Sequence, residues 1–110
     1  MEVSLDQWQA LVAVVDEGGY AKAAETLGKS QSAISYAIQK METSLGIRAF
    51  QLAGRRASLT PAGELLYRRA QLLLHSAQAL EDAASQLSSS WQASIHVAVD
   101  VAFPETLLFQ

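Results

Sequence analysis

The sequence predicts a mainly α-helical fold of three short helices, a β-hairpin and one long helix. Three observations carry this. Apolar residues recur at spacings of three and four in four separate runs, as on the buried face of a helix. Glycines and capping hydroxyls punctuate those runs. Between Ile47 and Leu59 the pattern changes to two short extended runs on either side of a turn.

The first helix is predicted from Leu5 to about Asp16. Ser4 and Gln7 have the spacing of a capping box, and Leu5, Trp8, Leu11, Val12 and Val15 follow at helical intervals up to Gly18-Gly19. A second, from Tyr20 to Leu27, packs through Ala23, Ala24 and Leu27 and stops at Gly28. Ser30 then caps a third, with a core stripe of Ile34, Ala37, Ile38, Met41 and Leu45 that ends at Gly46. The segment "IRAFQLAGRRASLT" reads as a hairpin with Ile47, Phe50, Leu52 and Leu59 flanking a basic turn at Ala53-Gly54-Arg55-Arg56.

Thr60-Pro61 opens the long helix, with a capping hydroxyl followed by proline at the first helical position. Leu66, Ala70, Leu73, Ala77, Leu80, Ala84 and Leu87 alternate spacings of four and three along it, the signature of a coiled-coil seam. From Pro61 to Ser89 it would run about 40 Å, more than the preceding domain can cover, so a second copy of the helix is its expected partner. Beyond "SSSW", Ile95, Val97, Val99 and Val101 alternate as a strand over Ser94–Val101 that would need a sheet from elsewhere. The expected organisation is a winged helix-turn-helix over 1–60, a dimerisation helix over 61–90 and the beginning of a second domain over 91–110.

Composition narrows the function. The chain has 110 residues, no cysteine and two histidines, His75 and His96, neither at ligand spacing to a carboxylate or to the other. No nucleophile motif and no glycine-rich phosphate loop is present, so neither an enzyme nor a cofactor is expected. The lack of cysteine fits a reducing cytosol, and with no signal pattern at the N-terminus and no run apolar enough to span a membrane neither secretion nor membrane insertion is indicated, so a cytoplasmic protein is expected.

The formal net charge is −3, but it is unevenly spread. Met1 to Ala21 carries four acids and no base, whereas Lys22 to Thr60 carries six bases against two acids. The middle third is therefore the part suited to a polyanion.

The second and third helices, joined by a tight glycine turn, have the helix-turn-helix arrangement, in which the later helix enters the DNA major groove. Its face away from the core stripe holds Gln31, Ser32, Ser35, Tyr36 and Gln39, with no carboxylate before Glu42. Glutamine can pair in bidentate fashion with adenine, serine can bond to bases or phosphates, and the missing carboxylates avoid repulsion by phosphate. Lys29 and Lys40 join these candidates from the basic segment, and Arg55 and Arg56 at the hairpin tip could reach a phosphate or a narrow minor groove. A basic leucine zipper would require a continuous basic helix running into the seam, and Thr60-Pro61 interrupts it. The competing reading is a helical interaction module that uses the seam and never touches DNA.

"AKAAETLGKSQSAIS", followed by "ME..LGIRAF" and "LTPAG" at these separations, resembles the LysR-type transcriptional regulators over about Leu5 to Leu87. The resemblance implies a bacterial cytoplasmic regulator that binds imperfect palindromes in double-stranded DNA as a dimer or tetramer, through antiparallel long helices. It also implies that 91–110 begin an effector-binding domain, the rest of which would take a small-molecule inducer. On that pattern Gln31 reads a base, Ser30 and Ser35 hold phosphates, and Arg55 and Arg56 serve the wing. The sequence departs from many members at Ser32 (proline), Tyr36 (arginine), and Gly19 and Ala21 (serine or threonine).

Overall fold

The computed structural model describes residues 2–53 and 56–97, with side chains over 2–52 and 57–89. Its elements are α1 (Leu5–Glu17), α2 (Tyr20–Leu27), α3 (Gln31–Leu45), β1 (Phe50–Ala53), β2 (Arg56–Leu59) and α4 (Pro61–Val97). The chain divides into two compact units, Met1–His75 and Ser76–Gln110.

In the first unit α1 packs on α2 and α3, and α2 packs on α3. The capping box forms as predicted: Ser4 N–H donates to Gln7 Oε1 at 2.7 Å, and Gln7 N–H to Ser4 Oγ at 3.3 Å. At the C-terminal end of α2, Gly28 adopts a left-handed φ of 65°, which lets Lys29 N–H turn back to Ala24 O at 2.9 Å. This closure brings α3 directly after α2, with only Lys29 and Ser30 between them.

The core is built from Val3, Ala10, Leu11, Ala13, Val14, Ala23, Ala24, Ile34, Ile38, Met41 and Ala49. The predicted stripes of α2 and α3 face it, except Leu45, which is exposed near the end of α3. The stripe assigned to α1 is displaced. Leu5 is exposed and Val12 and Val15 are half-buried, while Ala10, Leu11, Ala13 and Val14 are buried. From Ala10 to Val15 this helix is apolar on every side, so spacing alone does not say which face meets α2 and α3.

β1 and β2 pair antiparallel in the register Phe50↔Leu59, Gln51↔Ser58, Leu52↔Ala57, Ala53↔Arg56. The predicted turn is therefore narrower than four residues: Ala53 and Arg56 belong to the strands, and the connecting Gly54 and Arg55 lie outside the described residues. Phe50 and Leu59 pack against the core, whereas Leu52 is 79% exposed. Ile47 precedes the hairpin and closes α3, its N–H bonding Glu42 O at 3.2 Å.

Thr60 joins hairpin to helix. Its Oγ1 accepts from Gly63 N–H at 2.9 Å and donates to Arg48 O at 2.6 Å, and its own N–H donates to Ala49 O at 2.9 Å. Gly63 lies so close to Ala49 that a Cβ there would stand 2.0 Å from the Ala49 carbonyl oxygen. In the same unit Tyr67 O–H donates to Asp16 Oδ1 and accepts from Gln71 Nε2 at 2.9 Å, tying α4 to the end of α1.

The second unit holds the rest of α4 from Ser76. The strand predicted over Ser94–Val101 is corrected here, since helix continues through Val97; Ala98–Val101 lie outside the described residues. Between Glu64 and Val97 there is no glycine or proline to end the helix. A lone strand would leave its N–H and C=O groups unpaired, and a helix satisfies them internally.

Candidate nucleic-acid interface

The third helix places Gln31, Ser32, Tyr36, Gln39 and Lys40 in solvent on one face, with Ser35 half-buried among them. The opposite face anchors the helix through Ile34, Ile38 and Met41, each at most 1% exposed. Helical periodicity with a deep apolar side thus fixes which way the polar side points. Ser30 is the N-cap, its Oγ accepting from Ala33 N–H at 3.1 Å. That bond uses a lone pair and leaves the hydroxyl hydrogen free to donate. Lys29, immediately before the cap, is exposed.

Across the same helix, Lys40 Nζ lies 5.8 Å from the centroid of the Tyr36 ring, a cation–π arrangement one turn apart. The second helix is preceded by Gly19, which has no side chain to cap it, so its first N–H groups are open.

An open groove runs beside this face, lined by Ser35, Gln39, Glu42, Arg48, Tyr20 and Phe50. Glu42 and Arg48 are residues that sequence reasoning did not single out for the site. Glu42 Oε2 accepts from Ala49 N–H at 2.7 Å and from Phe50 N–H at 3.4 Å, which fastens the entry of the hairpin to α3. Arg48 approaches the same carboxylate at 3.8 Å with its side chain 81% exposed, a pair worth about 0–1 kcal/mol at most. Its cation is thus free to engage an anion. The signal for Glu42 was present as the first carboxylate of an otherwise acid-free helix. Its partners, being backbone amides, were not legible.

Tyr20 packs its ring 6.1 Å from that of Phe50, tilted by 55°. Burial chiefly, and then the Glu42 charge, push its phenol above the ordinary value of 10, with Arg48 opposing. The hydrogen bond to Asp16 raises Tyr67 in the same direction.

Of the wing arginines, Arg56 has its backbone in β2 and its side chain outside the described residues, as is all of Arg55. The seam divides in two. Leu66 packs against the core of its own chain and Ala70 is 3% exposed, so these two positions are turned inward. Leu73 is 41% exposed and Leu80 and Leu87 are 72% and 71%; Ala77 is half-buried and Ala84 exposed. Trp8, Leu65, Leu66, Arg69, Ala70 and Leu73 line a shallow, largely apolar groove between α1 and the start of α4. Among the described residues no group of three or more His, Asp or Glu could hold a metal, and no helix is long and apolar enough to cross a membrane.

Residues 5–64, the whole of the helix-turn-helix and hairpin, match the bacterial regulatory helix-turn-helix proteins, lysR family. The chain belongs to this lysR family. It is 35% identical over 108 residues to the uncharacterized HTH-type transcriptional regulator YeeY of Escherichia coli K12, covering 98% of this chain and 35% of that protein. It is 40% identical over 85 residues to the SDS degradation transcriptional activation protein of a Pseudomonas, covering 77% of this chain and 28% of that protein. The chain therefore spans about a third of the length of the lysR-type relatives it matches.

Among solved structures, the fold is similar to the BenM DBD in complex with catB site 1 DNA, with a TM-score of 0.75 and 31% identity over 79% of this chain and 97% of that one. It is likewise similar to the CbnR DBD in complex with DNA, with a TM-score of 0.70 and 28% identity over 78% of this chain and 99% of that one.

Proposed function

We propose that this chain is the sequence-specific, double-stranded-DNA-binding head of a bacterial transcriptional regulator, acting in the cytoplasm as a dimer. The observation that carries the reading is the face of α3: five exposed polar or aromatic side chains with no carboxylate, held outward by a fully buried opposite face. DNA complexes of relatives with this fold support it.

In this reading α3 lies in the major groove. Gln31, at the first helical position, pairs with a base edge, most favourably adenine through its amide. Ser30 donates its free hydroxyl hydrogen to a phosphate, and Ser35 holds another. The open N–H groups at the start of α2 attract a phosphate despite Gly19 and Ala21 having no side-chain donors. Lys29, Lys40 and Arg48 neutralise the backbone, and Arg55 and Arg56 extend the contact from the wing. Glu42 holds the wing in place and stays clear of the phosphates by bonding inward.

Dimerisation uses the outward part of the seam, where Leu73, Leu80 and Leu87 are exposed on α4. Two heads would then address half-sites about one helical turn apart, roughly 34 Å, or a multiple of it. Tetramers belong to the longer regulator, as does the response to a small-molecule inducer, in a domain that follows α4.

Salt dependence of binding to random-sequence duplex tests the reading against a helical interaction module. With one phosphate neutralised by each of Lys29, Lys40, Arg48, Arg55 and Arg56, about ten in the dimer, the logarithm of affinity should fall against the logarithm of salt with a slope of about −9. No measurable binding at low salt would instead assign the exposed leucines of α4 to a protein partner.

A further inference from the structure

On the outward face of α3, Gln31, Ser32, Ser35 and Gln39 present small or amide hydrogen-bonding groups. Tyr36 differs in adding a broad apolar ring beneath its hydroxyl: it is the one large hydrophobic side chain on that face and it is 63% exposed. Leu45, the other exposed large hydrophobic of α3, lies nine residues on, two and a half turns away and so on the other side of the helix.

The ring is steadied by the chain itself. Lys40, one turn later, holds its ammonium 5.8 Å from the ring centroid, which restrains the tyrosine while keeping a positive charge beside it. An aromatic ring restrained in solvent, in the middle of a polar reading face, is a surface waiting for an apolar counterpart.

The floor of the major groove supplies one. Each base pair presents donors and acceptors there, and the apolar feature among them is the C5-methyl of thymine. The hydrogen-bonding residues of α3 match the donors and acceptors, and the ring matches the methyl.

We infer that Tyr36 reads a thymine in each half-site through its C5-methyl, with Lys40 bracing the ring and neutralising the adjacent phosphate. This rests on the DNA-binding reading above and adds to it a base identity and the group that selects it.

The test uses the duplex that the wild-type chain enriches from a random pool, resynthesised with each thymidine replaced singly by deoxyuridine. That change removes only the methyl group. At one position per half-site wild-type affinity should fall about fourfold, the equivalent of about 0.8 kcal/mol for one buried methyl-sized group. Tyr36→Phe should keep the fourfold sensitivity, because the ring and not the hydroxyl makes the contact. Tyr36→Ala should bind the thymine and deoxyuridine duplexes equally.

An enriched site lacking thymine, or tight wild-type binding with no deoxyuridine-sensitive position, overturns the inference and leaves the DNA-binding reading standing. Sensitivity that persists in Tyr36→Ala also overturns it, assigning the methyl to another side chain such as the exposed Ala33. Failure to enrich any duplex overturns both.

Discussion

On helix propensity alone, Gly63→Ala should stabilise the protein, since alanine is better than glycine inside a helix by up to about 1 kcal/mol. The structure predicts the opposite. A Cβ at this position would stand 2.0 Å from Ala49 O, 2.9 Å from Ala49 C and 3.0 Å from Leu59 Cδ2. The leucine methyl can rotate aside, but the carbonyl cannot. It accepts the Thr60 N–H at 2.9 Å and belongs to a residue that is fully buried. Restoring a carbon–oxygen separation of about 3.3 Å needs a displacement of about 1.3 Å, enough to break that hydrogen bond. Losing the bond costs about 1 kcal/mol and the overpacking about 1–3 kcal/mol more. Against the propensity gain, the net loss is about 1–3 kcal/mol. Urea unfolding of both proteins at one concentration would measure it. With a slope of about 1 kcal/mol/M the midpoint should fall by about 1–3 M with the slope unchanged. A midpoint equal to or above that of the wild type would refute the close approach of α4 to Ala49.

Three further outcomes follow from the geometry. Glu42→Ala leaves the buried Ala49 N–H without its acceptor and should destabilise the domain by about 1–3 kcal/mol in the same assay; Glu42→Gln keeps an acceptor oxygen and should recover most of that. Leu80→Glu alters a side chain that is 72% exposed, so folding should be preserved while sedimentation shows monomer; a persisting dimer would exclude the outer seam as the interface. The phenol of Tyr20 is held above 10, so the folded state keeps its proton more tightly than the unfolded chain does. Its contribution is complete below pH 10 and disappears as pH rises through the elevated value, so Tyr20→Phe should flatten the alkaline end of the stability profile.

Much of the fold was legible because local chemistry decides it. The Ser4/Gln7 box, the left-handed Gly28 and the Ser30 cap each act within a few residues, and helix starts and stops appear where those residues stand. Periodicity placed Ile34, Ile38 and Met41 in the core for the same reason, one apolar stripe against a polar face. It misplaced the stripe of α1, where apolar residues surround the helix, and it overran at Leu66 and Ala70. Those two positions keep the seam spacing while facing the chain's own interior, because one heptad pattern serves both intramolecular and intermolecular packing. The Ser94–Val101 alternation has the period of a strand but no partner to pair with, and hydrogen-bond satisfaction favours the helix that continues through Val97.

For the site, the outward face of α3 could be read from residue types alone, whereas its supports could not. Glu42 holding Ala49 N–H, Thr60 bridging to Arg48 O, and Gly63 against the Ala49 carbonyl are contacts to backbone, and no pattern of side chains announces them. They account in physical terms for the glutamate after "QKM" and for the "LTPAG" run. One fastens the hairpin to α3, and the other lets α4 start hard against Ala49.

The central claim, that α3 reads base sequence from the N-terminal end of its outward face, is tested most directly by the affinity of Gln31→Ala for single-base variants of the duplex selected by the wild type. The variant should lose about 1–3 kcal/mol on the selected duplex and become indifferent at one base pair per half-site, with preferences elsewhere unchanged. A variant that retains the wild-type preference at every base pair would contradict the account.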